Sequence, residues 1–272
     1  MSKPHYRTVF ISDLHLGAVG AKVEAVHDFL ESFTCDHLFL VGDIIDGWVG
    51  RKDRKWSPAV TAVIKSVFEH SNSGAKVYYT PGNHDAFMRR IHGVMFGDIE
   101  IQHSFRHELL DGRDLLVVHG DLFDRTCTKY KPVAFIGAWM YEAVTGLNAK
   151  VNENRNEKGR RNIDFASALK RGVKKFVGKA THFEQSVIEF AKENKFDGVV
   201  CGHVHRPMID DQPDGFIYIN DGDWVEHCTA VVEHIDGQLE LLHFQPQSEK
   251  KSSETWESIK GLVTTAPKSG SK

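Results

Sequence analysis

The sequence predicts an α/β fold, a sandwich of two mixed sheets flanked by helices. Up to Thr80 the apolar pattern alternates strand, helix, strand, helix and strand, the mark of βαβ units with right-handed crossovers. Later strand signals follow one another through turns without obligatory helices, which suggests a second sheet of different build. From Asp121 to Phe196 the chain carries helical patterning and no strand signal, so it reads as an insertion between two strand ends.

Each element has its own reason. Tyr6–Ile11 is a buried strand by its short apolar run. Ala21–Phe33 places Val23, Val26, Phe29 and Leu30 on one helical face. His37–Val41 is a second strand, ending in Gly-Asp. Pro58–His70 fits a helix opened by Ser57 as N-cap with Pro58 at the first position. Lys76–Thr80 is a third strand, ending in Pro-Gly. Phe105–Leu110 and Leu115–Val118 are separated by Asp111-Gly112, a hairpin signal. Gly198–Cys201, Phe216–Asn220, Thr229–Ile235 and Leu239–Phe244 complete the strands, the last two joined through Asp236-Gly237. Helical pieces are expected around Pro132–Thr145, Asn162–Val177 and Thr181–Asn194. Residues 1–246 therefore form one domain with a helical insertion at about 125–196, and the Ser-, Lys- and Glu-rich residues 247–272 read as a flexible tail.

Composition narrows the function. The chain has 272 residues, 41% hydrophobic and 26% charged, enough for a sizeable core and unlike a disordered or collagen-like protein. The longest nearly apolar run, Val133–Tyr141, is too short to span a bilayer. The N-terminal residues enter a strand at once, without the apolar region of a secretory signal, so the expected location is the cytoplasm, with peripheral contact at the inner membrane face as an extension. Cys35, Cys127, Cys201 and Cys228 are scattered, which speaks against a disulfide framework and a zinc ribbon. The net charge of −3 gives no global pull toward nucleic acid. Yet Lys150–His182 holds ten Lys and Arg against three Asp and Glu, and Lys170, Arg171, Lys174, Lys175 and Lys179 recur at near-helical spacing. Such an island suits an anionic small molecule, or an anionic lipid surface at about 1 kcal/mol per basic group. It lacks the interleaved aromatics that stack nucleic acid bases, so no nucleic acid partner is expected.

Five polar blocks carry the chemistry: Asp13-Leu14-His15, Gly42-Asp43, Gly82-Asn83-His84-Asp85, His119-Gly120-Asp121 and Gly202-His203-Val204-His205. Each follows an apolar strand within a few residues, and loops leaving the carboxyl ends of such strands gather at one edge, where ligands bind. Imidazole and carboxylate together suit Mn, Fe or Zn rather than Ca or Mg. Asp13 and His15 lie two apart, so an extended segment points both side chains the same way, and His203 and His205 repeat the spacing. Seven donors (Asp13, His15, Asp43, Asn83, His119, His203 and His205) are too many for one small ion but suit two ions sharing a carboxylate. Two ions can clamp an in-line displacement at phosphorus by metal-bound hydroxide. His84 is then available to the leaving oxygen, with Asp85 to orient its ring. Any one block is a common accident, and most of the other histidines, such as His103, His107 and His182, read as ordinary ones held by hydrogen bonds. The five together, in this order, are far more specific.

Ser12-Asp13-Leu14-His15-Leu16, Gly42-Asp43-Ile44-Ile45-Asp46, Gly82-Asn83-His84-Asp85, His119-Gly120-Asp121 and Gly202-His203-Val204-His205 resemble the five signature blocks of the calcineurin-like metallophosphoesterase superfamily, over roughly Thr8 to Phe244. The resemblance implies a four-layer αββα sandwich. It implies one metal on Asp13, His15, Asp43 and His205, and another on Asp43, Asn83, His119 and His203, with Asp43 bridging. Within the superfamily the spacing is most similar to the UDP-2,3-diacylglucosamine pyrophosphohydrolases of lipid A synthesis. About eighty residues separate the His-Gly-Asp and Gly-His-x-His blocks, and Gly47-Trp48 and Tyr130 fit as well. That likeness implies a helical lid holding acyl chains beside two divalent ions, Mn foremost, and release of UMP and an acylated sugar phosphate. It also implies substrate contacts at Asn83, His84 and His203, and the nearby Asp124, Arg125 and Tyr130 are further candidates. At His84 the well-studied members of that group carry Arg instead. Another anionic phosphodiester or phosphomonoester is the alternative substrate class. A non-catalytic scaffold is the alternative of another kind, but here every expected ligand position is filled.

Overall fold

Residues 3–48, 56–124 and 182–245 are described by the structure, a computed structural model. The expectations for Arg125, Tyr130, the helical pieces at Pro132–Thr145 and Asn162–Val177, nearly all of the basic island and the tail lie outside the described residues.

The elements run β1 (His5–Ile11), α1 (Val23–Leu30), β2 (Thr34–Val41), α2 (Pro58–Asn72), β3 (Lys76–Thr80), β4 (Met95–Phe96), β5 (Ile99–Ile101), β6 (Phe105–Glu108), β7 (Asp114–Val117), α3 (residues 182–193), β8 (Gly198–Cys201), β9 (Met208–Asp211), β10 (Ile217–Asn220), β11 (Thr229–Glu233) and β12 (Leu239–His243). Among the described residues they form a seven-stranded sheet, β12-β11-β1-β2-β3-β5-β4, and a five-stranded sheet, β6-β7-β8-β10-β9. The run from β1 through β2 and β3 to β5 is parallel, with β11 antiparallel to β1. In the second sheet β7, β8 and β10 are parallel, and the edges β6 and β9 antiparallel. Both sheets are mixed, as the sequence predicts.

Strand alternation sorts the side chains into layers. Val9, Ile11, Leu38, Leu40 and Val77 pack in one cluster with Val26, Phe29 and Leu30 of α1 and Val60, Val63 and Val67 of α2. Their neighbours Phe10, Phe39 and Val41 join Leu115, Val117, Val200, Ile217 and Ile219, so this second cluster lies between the sheets. Leu116, Val199, Cys201 and Tyr218 turn the other way and meet Phe183, Val187 and Ala191 of α3. The order of layers is therefore helix, sheet, sheet, helix.

Local chemistry explains the boundaries. Ser57 Oγ accepts from Val60 N at 3.3 Å, which caps α2 ahead of Pro58. The β6–β7 turn uses Gly112 at φ 87°, a left-handed value glycine adopts without a Cβ penalty. The expected Thr181–Asn194 helix is present as α3. Three strands, β4, β5 and β9, were not expected. β4 and β5 form a hairpin of two and three residues at the sheet edge, too short to show a period. β9 reads Met-Ile-Asp-Asp, with three half-buried side chains, an exposed Asp211 and no clear alternation. The three described cysteines are buried.

Candidate metal centre

The loops leaving β1, β2, β3, β7 and β8 carry the five polar blocks, and backbone hydrogen bonds tie them together. Asp13 N donates to Gly42 O at 3.0 Å, His15 N to Asp43 O at 2.9 Å, and Leu16 N to Ile44 O at 2.9 Å, so parallel pairing continues past β1 and β2. Gly47 N reaches His84 O at 2.9 Å and Gly202 N reaches His119 O at 3.2 Å. Five of the seven expected ligands, Asp13, His15, Asp43, His203 and His205, have φ between 46° and 68°. Left-handed backbone is uncommon for residues with a Cβ and persists only where the surroundings enforce it. The expectation that an extended segment aligns Asp13 with His15 is thus corrected: the two side chains do meet, through left-handed turns. His203 and His205 do not share a direction. They join different groups.

Among the described residues three groups of three emerge, two of them made of expected ligands and the third of His15, Asp46 and His84. Asp13, His15 and His205 present ligand atoms within 4.8 Å of one another, and so do Asp43, His119 and His203. Asp13 Oδ1 lies 3.0 Å from His205 Nε2 and 3.6 Å from His15 Nε2. Asp43 Oδ2 lies 3.3 Å from His119 Nε2. His119 Nδ1 lies 2.8 Å from Val41 O, and a carbonyl only accepts, so Nδ1 carries the hydrogen and Nε2 is free as a ligand. That Nε2 is buried and has no hydrogen-bond partner among the described residues, and the same holds for Asn83 Oδ1. Orphaned buried acceptors and donors are rare in folded proteins and call for an ion or water. The residues therefore fit a divalent cation at each of the two groups of expected ligands.

Electrostatics agrees. Burial opposes ionisation of Asp13, yet His205 and His119 hold its carboxyl well below the ordinary range. Burial likewise opposes Asp43, and His119 brings it down to about 2. Burial would lower His15, but hydrogen bonds to Asp13 and Asp46 raise it to about 10. His119 and His205 are raised against burial by Asp43 and Asp13 respectively. Buried carboxylates of this kind need a positive partner, and without a metal the imidazoles supply it as protons.

His84 sits beside both groups of expected ligands. Its Nδ1 is 3.1 Å from Asp46 Oδ2 and its Nε2 is 4.0 Å from Asp43 Oδ2. Trp48 stacks on the ring at 3.8 Å between centroids, and His15 meets it edge-on at 4.5 Å. Trp48 Nε1 donates to Asn83 O at 3.0 Å. Asp85 does not hold His84, contrary to expectation. Its carboxylate accepts from Ile44 N at 2.8 Å, Gly82 N at 2.6 Å and the Tyr79 hydroxyl, and so fastens the loop after β3 to the loop after β2. Asp46 and Trp48 hold His84 instead, a role the sequence does not assign to them. The available signal was the second Asp of Gly42-Asp43-Ile44-Ile45-Asp46. Asp124 lies beside the site, its Oδ2 3.4 Å from His203 Nε2.

Residues 6–207 match the family described as Calcineurin-like phosphoesterase. The chain belongs to that family. Its members use divalent metals, and this chain is a metal-dependent phosphoester hydrolase by that membership. It is 27% identical over 230 residues to a UDP-2,3-diacylglucosamine hydrolase of Tolumonas auensis, covering 79% of this chain and 88% of that one. It is 28% identical over 252 residues to a protein of the same name from Shewanella sp. strain ANA-3, covering 88% and 98%. Among solved structures, a dimetal phosphatase from Danio rerio aligns over 89% of this chain and 100% of its own, with 11% identity and a TM-score of 0.45.

Proposed function

We propose that this phosphoesterase hydrolyses the diphosphate of UDP-2,3-diacylglucosamine, releasing UMP and an acylated sugar 1-phosphate. The observation that carries the chemistry is the pair of three-residue groups, Asp13-His15-His205 and Asp43-His119-His203, beside a histidine held on Asp46. The names of the relatives support the substrate. Asp13, His15 and His205 would hold one ion, and Asp43, Asn83, His119 and His203 the other, with Asp43 shared and Mn the expected metal. Two such ions would lower the pKa of bound water and neutralise charge on phosphoryl oxygens.

The chain's own residues do the rest. Asp46 and Trp48 fix the His84 ring with Nδ1 occupied, so Nε2 is the atom that gives a proton or hydrogen bond to the departing phosphate oxygen. Asn83 turns its amide to a non-bridging oxygen. Asp124 steadies His203 through Nε2, and Arg125 and Tyr130 would add substrate contacts. No helix among the described residues is long and apolar enough to cross a membrane. An acylated substrate would be met at a lipid surface, with the basic stretch 150–182 touching anionic headgroups.

The test is a product assay on the full chain with Mn and UDP-2,3-diacylglucosamine, read by chromatography. UMP at a rate above that from unacylated UDP-N-acetylglucosamine supports the reading. Cleavage of an aryl phosphodiester with no UMP from the lipid would overturn the substrate and leave the hydrolytic centre standing.

A further inference from the structure

Ser12 stands between two carboxylates. Its Oγ lies 2.6 Å from Asp13 Oδ2 and 2.6 Å from Asp221 Oδ1, with Gly222 O at 3.2 Å. All of Ser12, Asp13 and Asp221 are inaccessible to solvent. Asp221 arrives on the loop after β10, which is pinned by Asp221 N to Cys201 O at 3.2 Å and by Thr229 Oγ1 to Asp221 O at 2.8 Å.

A serine hydroxyl has one hydrogen. Were both carboxylates ionised, one of the two 2.6 Å contacts would set lone pair against lone pair inside a dry, low-dielectric interior, a costly arrangement. One aspartate must therefore carry a proton. Asp13 Oδ1 faces His205 and His15, so its negative charge is matched. Among the described residues Asp221 Oδ2 has no hydrogen-bond partner, a smaller penalty for a neutral carbonyl than for an anion.

We propose that Asp221 is a neutral carboxylic acid that donates to Ser12 Oγ and thereby commits the Ser12 hydrogen to Asp13 Oδ2. Burial supports the assignment, pushing the Asp221 carboxyl well above the ordinary range, with the Ser12 hydrogen bond opposing and the Asp13 charge adding to the rise. Asp13 Oδ2 then receives two donors, Ser12 Oγ and His203 N at 2.9 Å. Its other oxygen, Oδ1, is left to the cation side. Asp221 is a positioning residue that acts on Asp13 through Ser12, and this role rests on the metal-centre reading above.

The test has two readouts on the full-length chain. Mn affinity is measured by titration calorimetry for wild type, Asp221→Asn, Asp221→Ala and Ser12→Ala. Asn offers a neutral side chain of the same shape whose amide donates to Ser12, so its affinity stays within about threefold of wild type. Ala at either position weakens binding by about 10–100-fold, the usual effect of removing a partner of a metal ligand. Were Asp221 an anion, Asn would weaken binding as much as Ala does, and that result overturns the proposal. The second readout is the infrared difference between metal-free wild type and Asp221→Asn. The carbonyl stretch of a protonated carboxylic acid is expected in the wild type at neutral pH and its absence overturns the proposal. Should the Asn chain not fold, Ser12→Ala must still shift that band, because the acid loses its acceptor, and an unchanged spectrum overturns the relay. Wild-type protein that shows the acid band but binds no Mn would sink the metal centre rather than the protonation of Asp221.

Discussion

Asp46 Oδ2 lies 3.1 Å from His84 Nδ1 and 3.5 Å from His15 Nδ1, so one buried carboxylate orients both an expected metal ligand and the histidine proposed to serve the leaving group. Burial opposes its ionisation, yet the two imidazoles hold Asp46 far below the ordinary carboxylate range. His84 is in turn fixed by Trp48 on one face, and its backbone N–H, not its ring, holds Asp43 Oδ1 at 2.7 Å.

That division of labour gives the first prediction. His84→Ala removes the ring but keeps the backbone donor to Asp43. Turnover of a phosphodiester should fall by about 10²–10⁴, the range for losing a general acid. Metal content, read by elemental analysis, should stay at the wild-type value. Wild-type turnover in the variant would remove His84 from the reaction.

A second prediction concerns space. A Cβ placed on Gly82 would collide with Asp43 Oδ1 and would lie 2.6 Å from His119 Cδ2 and 2.7 Å from Asp43 N. None of these can retreat without disturbing a ligand. Gly82→Ala should therefore weaken Mn binding by about 10–100-fold while far-ultraviolet circular dichroism stays native. Affinity equal to wild type would mean that Asp43 and His119 are not ligands.

The sequence made the layers legible because β1, β2, β7, β8 and β10 contain short apolar runs and each helix has one apolar face. The two edge hairpin strands, β4 and β5, were not, since pairing rather than pattern defines them. The residues gathered in the candidate site could be read from their types and strand-end positions. Their conformations could not: Asp13 and His15 converge through φ values of 53° and 46°, a backbone state enforced by the neighbouring loop rather than by local preference. The role expected of Asp85, to orient His84, falls to Asp46 for a similar reason. Adjacency favoured Asp85 as partner of His84, whereas the chain turns at Gly82 and sends Asp85 toward Ile44 N and Tyr79.

The third prediction is a pH dependence of metal binding. In the metal-free protein His15 is raised to about 10 by Asp13 and Asp46 against the effect of burial, and His205 and His119 are raised too. At neutral pH these rings hold protons that a cation must displace. Mn binding should release protons, detectable as a heat of binding that varies with the buffer's ionisation enthalpy, and affinity should rise with pH by about tenfold per unit for each proton displaced. In the metal-free state the raised His15 stabilises the fold below its unfolded value near 6.5, and that contribution is lost as pH climbs through about 10. Chelated protein should thus lose thermal stability between roughly pH 7 and 10 relative to the Mn-loaded protein. A pH-independent affinity would contradict the assignment of these histidines as ligands.

The last prediction separates fold from site. Glu233 on β11 is buried and accepts from Arg7, from Thr8 Oγ1 at 2.9 Å and from Leu110 N at 2.7 Å, with His107 Nε2 at 3.6 Å. It joins the first sheet to the hairpin that opens the second. Against the effect of burial, the His107 and Leu110 hydrogen bonds bring Glu233 down to about 2. A depressed carboxylate stabilises the fold above its unfolded value near 4.3, and the contribution disappears as pH falls through about 2. Glu233→Gln should cost about 2 kcal/mol in denaturant unfolding at pH 7, from weakened hydrogen bonds to a charged acceptor. The variant's own acid sensitivity should be smaller than that of the wild type, because the titrating group is gone. Mn affinity and turnover should not change, since none of the seven expected ligands hydrogen-bonds Glu233. A loss of metal binding without a loss of stability would place Glu233, and with it His107, in the machinery of the site instead.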